Sequence, residues 1–192
     1  NTNLGFFRRK NTHYATDNNS LQYFESENFN SVDYDLNTEI VYRNNIHQKH
    51  KIKFTYLKST VSDSIRNLNP NYLGDSDTIA DLFNISYQLK QEKRDYSIYP
   101  LHGYALSFEI KKYFSSDVNH VELLTKSEKH IEPFNRFYIG SSFKTKYSTK
   151  GNQPYFIQKA LGYEDYVRGY EYYVVDGQSC WLSKTAIKYA LI

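Results

Sequence analysis

The feature that most constrains this chain is a two-residue alternation that recurs segment after segment, with full charges on its polar parity. Tyr34, Leu36, Thr38, Ile40 and Tyr42 share one parity, and Asp33, Asp35, Asn37, Glu39 and Arg43 hold the other. Ile52, Phe54 and Tyr56 oppose Lys51, Lys53 and Thr55, and Phe83, Ile85, Tyr87 and Leu89 alternate with Asn84, Ser86, Gln88 and Lys90. The same holds for Leu106, Phe108 and Ile110 against Ser107, Glu109 and Lys111, and for Phe137 to Thr145 against Tyr138 to Lys144. Successive side chains of a strand point to opposite faces, so each segment predicts a strand with one apolar and one polar face. A less regular strand is expected around His120 to Glu128, a weak one over Gln22 to Phe29, and a last one from Trp181 to Ile192. Leu4, Phe6 and Phe7 read as a short apolar patch, and the following NTHYATDNNS reads as a turn.

Connection lengths alternate as well. They are short at HQKH, RDYSIYPLHG and EPFN, and long at 59–80 and 147–179. Charges deep in the strands, strands long enough to cross a tilted bilayer core, and short turns alternating with long loops together describe an antiparallel up-and-down transmembrane β-barrel. A soluble sandwich with one wet face reproduces the first feature and by accident the second, and stands as the alternative. One domain is expected over residues 1–192. An aromatic content of 17%, with 20 Tyr and only 4 Pro, excludes disorder. Lys and Arg number 24 against 21 Asp and Glu, and the basic residues are spread over many segments, so nucleic acid is not indicated. No run approaches the roughly 18 apolar residues of a spanning helix.

The stretch without a period is Leu161 to Gly177, LGYEDYVRGYEYYVVDG. It reads as a long structured loop. At its centre Gly169 follows Arg168 directly, so the backbone is free to take a positive φ and present the guanidinium at a tight tip between Val167 and Tyr170. A plain surface loop with solvated charges is the competing reading.

These residues carry a resemblance. A hairpin turn with Arg94-Asp95, Tyr99-Pro100 and Gly103 is followed by three further strands. A long loop comes next, with Pro154-Tyr155-Phe156 and Val167-Arg168-Gly169-Tyr170. This order resembles the barrel of the BamA, TamA and two-partner-secretion translocator superfamily, the bacterial surface antigen family, well over Asp81 to Ile192 and by pattern before it. The resemblance implies a sixteen-stranded barrel in the bacterial outer membrane. Trp181 to Ile192 would be its twelfth strand and Gln22 to Phe29 about its fifth. It implies an assembly or insertion factor acting on unfolded outer-membrane protein clients within the lipid bilayer, aided by periplasmic or lipoprotein accessory subunits. The VRGY loop would fold back into the lumen and dock Arg168 either on the inner wall of strands that follow the loop and lie outside this sequence, or on a lumenal carboxylate of this chain such as Glu39 or Glu109. Lys188 stands where such proteins often carry an acidic residue. On this resemblance the chain is expected to be part of a longer polypeptide.

Other chemistry is faint. His47 and His50 sit in a basic turn, Asp75 and Asp77 lack further oxygen ligands in register, and Cys180 has no partner cysteine. No phosphate loop, nucleophile elbow or zinc motif occurs, so neither a metal, a cofactor nor enzymatic catalysis is expected. A protein-translocating or passive channel and a soluble β-rich binding module remain as alternatives.

Overall fold

The computed structural model describes residues 1–74, 79–115, 118–149, 153–163 and 165–191. In chain order its strands are β1 (Thr2–Arg9), β2 (Asn11–Asp17), β3 (Ser20–Glu25), β4 (Ser31–Asn45) and β5 (Gln48–Val61). After the short helix α1 (Asp63–Leu68) come β6 (Ile79–Glu92), β7 (Gly103–Phe114), β8 (Val121–Phe134) and β9 (Phe137–Ser148). The chain then forms β10 (Lys159–Leu161), β11 (Val175–Asp176) and β12 (Cys180–Tyr189). Eight of these strands build one antiparallel sheet in the order β1-β4-β5-β6-β7-β8-β9-β12.

The fold is therefore all-β and antiparallel, as the alternation predicts. It is an open sheet and not a closed barrel, because β1 pairs only with β4 and β12 only with β9, leaving both as edges. Eight strands are also short of the sixteen that the resemblance implies.

The N-terminal expectations need correction. Leu4 and Phe6 pair with Leu36 and Tyr34, so the leading apolar patch is a full strand whose apolar parity continues that of β4. The segment expected as a turn is β2, and the strand expected over Gln22 to Phe29 is β3, which pairs with β2 outside the main sheet. Asn18 and Asn19, both at positive φ, close this two-residue hairpin. The two long connections are shorter than expected and carry structure. β5 runs to Val61, and the N-terminus of α1 is capped by Ser62, whose side chain accepts from the amide of Ile65. The loop after β9 contains a 3-10 turn (Tyr155–Ile157) and the β10-β11 pair. Asp75 and Asp77 lie outside the described residues, as does Glu164.

The sheet buries the wrong parity for a protein surrounded by water. Along β6 the apolar Phe83 and Tyr87 are exposed, whereas Asn84 and Ser86 between them are buried. The register lines up Ile40, Ile52, Tyr87, Ile110, Leu123 and Tyr147 in one row across β4 to β9. At about 4.8 Å per strand that row is about 24 Å long. Apolar burial is confined to the end of the sheet that carries the long connections. There Val61, Ile65, Tyr72, Leu73 and Ala80 pack with Tyr14, Phe24, Tyr155 and Phe156. Beside them Leu82, Tyr113 and Val118 receive Phe156 and Ile157.

Candidate functional site

The polar face of the sheet, with the connections folded onto it, holds almost all of the organised charge. Its centre is Glu122 on β8, 5% exposed, which lies 3.1 Å from Lys146 on β9 and 3.4 Å from Lys111 on β7. Register makes this triad: Lys111 is directly opposite Glu122, and Lys146 sits one strand further at neighbouring height. Two ammonium groups offset the cost of burying one carboxylate. Lys146 does a second job, donating to the carbonyl oxygens of Ile157 (3.4 Å) and Lys159 (2.8 Å) and so tying the long loop to the sheet. Lys144 on β9 ties the same loop through Asp165. Burial opposes ionisation of Asp165, but the hydrogen bond and charge of Lys144 outweigh it and hold this carboxyl below its ordinary value.

The loop is also fastened to the β2-β3 hairpin. Tyr155 shares a 2.9 Å hydrogen bond with Thr16, the amide of Val174 donates to the carbonyl of Asn19, and Tyr163 donates to Asp176 within the loop. Burial, helped by the Asp176 carboxylate, pushes the Tyr163 hydroxyl well above the usual range, and burial, helped by the Asp33 charge, takes Tyr72 up to about 12. These phenols are neutral donors at any physiological pH.

The tip itself is a β-turn. The amide of Tyr170 donates to the carbonyl of Val167 at 2.9 Å, and Gly169 has a φ of +83°, the third-position geometry of a type II turn. The positive φ expected at Gly169 is therefore present. Val167, Arg168, Gly169 and Tyr170 are all exposed. The expected docking of Arg168 on Glu39 or Glu109 is not what the structure has. Glu39 faces Asn1 and Lys51, and Glu109 accepts from Gln88 at 3.1 Å. The loop is clamped at Asp165 by Lys144 and at Val174 by Asn19, and the tip between those points is exposed. Within the tip, Glu171 accepts from the amide of Gly169 at 3.0 Å. That backbone bond lowers the Glu171 carboxyl, with the Arg168 charge contributing least.

The Arg94 to Gly103 turn is better organised than its sequence indicates. Arg94 forms a two-point pair with Glu92 (2.5 and 2.8 Å) and reaches Glu128 on β8 at 2.6 Å, so it joins the turn to the sheet. Asp95 accepts from the amides of Tyr96 and Leu101. Gly103 is obligatory, since its φ is +99° and a Cβ there would lie 2.0 Å from the carbonyl oxygen of Lys93. The carbonyl of buried Pro100 accepts from Lys188 on β12 at 2.7 Å, and the Lys188 ammonium stands 3.9 Å above the Tyr99 ring. Lys188 thus anchors this turn.

Lys111, Glu122, Lys146, Lys126 and Glu128 escaped the sequence reading as site residues. Their signal was present: all belong to the charged parity of adjacent strands, and opposite signs at matching heights emerge once the register is known. Among the described residues no group of three or more His, Cys, Asp or Glu side chains is arranged to hold a metal ion. No protein-family model matches the chain, and no curated protein matches it.

Proposed function

We propose that this chain is part of an outer-membrane β-barrel of the assembly and insertion type, with its apolar parity toward lipid and its charged parity toward a water-filled lumen. The observation that carries this reading is the inverted polarity of the sheet. Ile40, Ile52, Tyr87, Ile110 and Phe108 are all exposed on one face while Glu122, Lys146, Asn84 and Ser86 are buried on the other. A continuous apolar face of this breadth is rare on a protein surrounded by water, and it is the ordinary exterior of a strand-built membrane protein. The topology supports the same reading. The tight β4-β5 and β8-β9 turns lie at one end of the sheet, and the long β5-β6 and β9-β12 connections lie at the other and pack on the polar face, with the shorter β7-β8 link beside them. With β12 taken as a twelfth strand, the eight strands occupy positions five to twelve, β1 taking the fifth place that Gln22 to Phe29 was expected to fill.

The insertion activity rests on the VRGY resemblance. In this reading the clamped loop presents Arg168 to carboxylates on strands that pair beyond the β12 edge, unfolded barrel proteins are the clients, and no metal or cofactor takes part. A passive channel is the second reading, favoured by the charged, solvent-lined polar face.

The single tryptophan makes the membrane claim testable. Trp181 is 68% exposed at the loop end of β12, with its neighbour Thr145 on the apolar side of the sheet. In vesicles of brominated lipid its fluorescence is expected to be quenched; an unquenched Trp181 defeats the membrane reading. Vesicles that carry the protein are expected to speed folding of an added client barrel, and Arg168→Ala to slow that gain. Quenching with no effect on client folding favours the passive channel.

A further inference from the structure

The sheet register gathers cations that the sequence scatters. Arg43 on β4 lies opposite Lys49 on β5, and Lys49 lies opposite Lys90 on β6. The row continues through Ser107 on β7 to Lys126 on β8 and Lys144 on β9. It crosses the polar face near the short-turn end. Like charges directly opposite one another destabilise a sheet, yet Arg43–Lys49, Lys49–Lys90 and Lys126–Lys144 are all such pairs. A solvent-lined wall has no need of them. Asp165 engages Lys144 and Glu128 engages Lys126 at 3.1 Å. Among the described residues no carboxylate lies within 4.0 Å of Arg43, Lys49 or Lys90.

Arg43, Lys49, Lys90, Lys126 and Arg94 line one cavity of about 370 Å³, together with His47, Gln48 and Gln91. Its two carboxylates, Glu92 and Glu128, are both bonded by Arg94. Five cations therefore face two carboxylates, and three positive charges are left over.

We propose that this cavity binds a soluble, compact, multivalent phosphate anion of the di- or triphosphate class. The excess charge matches such an anion, and the volume lies within the range of small-ligand sites. Arginine and lysine side chains supply charge-assisted hydrogen bonds to phosphate oxygens, with the guanidinium able to bind two at once. An extended acidic peptide is a poorer match: β4 to β8 are interior strands whose backbone groups are already paired, so a peptide gains no main-chain hydrogen bonds. A lipid-borne phosphate is poorer still, since the cavity opens on the charged face, opposite the exposed apolar row. The inference rests on register and cavity alone and is independent of the insertion reading.

Pyrophosphate titrated calorimetrically into the folded full chain in detergent micelles provides the test, with circular dichroism confirming strand content for every variant. Binding at one site is expected, weakening as salt is added. The double variant Lys49→Gln/Lys90→Gln is expected to bind roughly tenfold to a hundredfold more weakly. Lys112→Gln/Lys129→Gln removes the same charge from the opposite face and is expected to bind as the parent does. The proposal is overturned by a folded parent that does not bind, or by undiminished binding in Lys49→Gln/Lys90→Gln. It is equally overturned by pyrophosphate being displaced more readily by an oligoglutamate peptide or by phosphatidic acid micelles than by triphosphate.

Discussion

Ile110→Arg separates a lipid-facing sheet from a water-facing one. Ile110 sits on β7, an interior strand, with Tyr87 and Leu123 as its cross-strand neighbours, and is 41% exposed. Losing those neighbour contacts costs about 0.2–1 kcal/mol each in any solvent. In water little else changes, because a surface substitution away from special features lies within about 0.5 kcal/mol. In a bilayer an arginine near mid-depth on the lipid side of a barrel adds about 2–4 kcal/mol. The expected loss in lipid is therefore about 3 kcal/mol or more, against about 1 kcal/mol in water. Urea unfolding in phospholipid vesicles reads the difference: with an m-value of about 1–3 kcal/mol/M, the midpoint falls by about 1–3 M. Gln88→Arg is the control. It lies beside Glu109 on the polar face at matching height and gains an ion-pair partner there, so its midpoint is expected to move little. If Ile110→Arg shifts the midpoint no further than Gln88→Arg does, the apolar face does not meet hydrocarbon and the barrel reading fails.

Three further outcomes follow from the site. Gly169→Ala meets no atom within 4 Å and is expected to cost only the about 1–2 kcal/mol of a left-handed alanine, whereas Gly103→Ala drives a Cβ into the Lys93 carbonyl and is expected to cost clearly more by the same unfolding assay. Equal losses would remove the argument for a forced turn. Lys146→Met leaves Glu122 with only Lys111 and deprives two loop carbonyls of a donor, so a loss of about 3 kcal/mol is expected together with faster proteolysis of the loop near Lys159; intact protection would show that Lys146 does not tie the loop. The Asp165 carboxyl is depressed in the folded state, so its tether to Lys144 is at full strength above the ordinary value of 3.8 and weakens as pH falls through the lower folded value. Amide exchange at Tyr170 and Tyr173 is expected to quicken only in that acidic window and to lose this pH step in Asp165→Asn; loosening near neutral pH would contradict the sign.

Much of the sheet was legible because a period of two needs only local sequence. From Asp33 to Thr145 each alternating segment became a strand, β4 to β7 running a few residues beyond the alternation at both ends and β9 only beyond Thr145. The first thirty residues were misread for the same reason in reverse. Phe7 and Gly5 break the alternation of β1, and only its pairing with β4 shows which parity counts. At the tip, Gly169 disclosed its positive φ through chemistry that no other residue shares, while the placing of the loop depended on clamps at Asp165 and Val174 whose partners, Lys144 and Asn19, are remote from it in sequence. The basic row was the largest omission. Arg43, Lys49, Lys90, Lys126 and Lys144 look evenly spread along the chain, and it is antiparallel register that brings them to one height. Charge spread in sequence is therefore no argument against a charged patch once strands run back and forth.

The inverted sheet also explains why its long connections fold where they do. A strand face rich in lysine and glutamate offers a loop few apolar contacts, so a connection that must bury Phe156 and Ile157 needs an exception in the pattern. The sheet supplies one at the loop end, where the otherwise polar parity carries Leu57, Leu82 and Tyr113. Those three positions lie on neighbouring strands at neighbouring heights, forming a small apolar seat within a polar wall. Lys146 and Lys144 then stand just beyond the seat to catch the loop backbone and Asp165. Apolar seating sets where the loop lies, and charge sets how far it reaches before Gly169 turns it back. Moving the seat one residue along any of these strands would transfer it to the exposed face and release the loop, because a period of two permits no intermediate position.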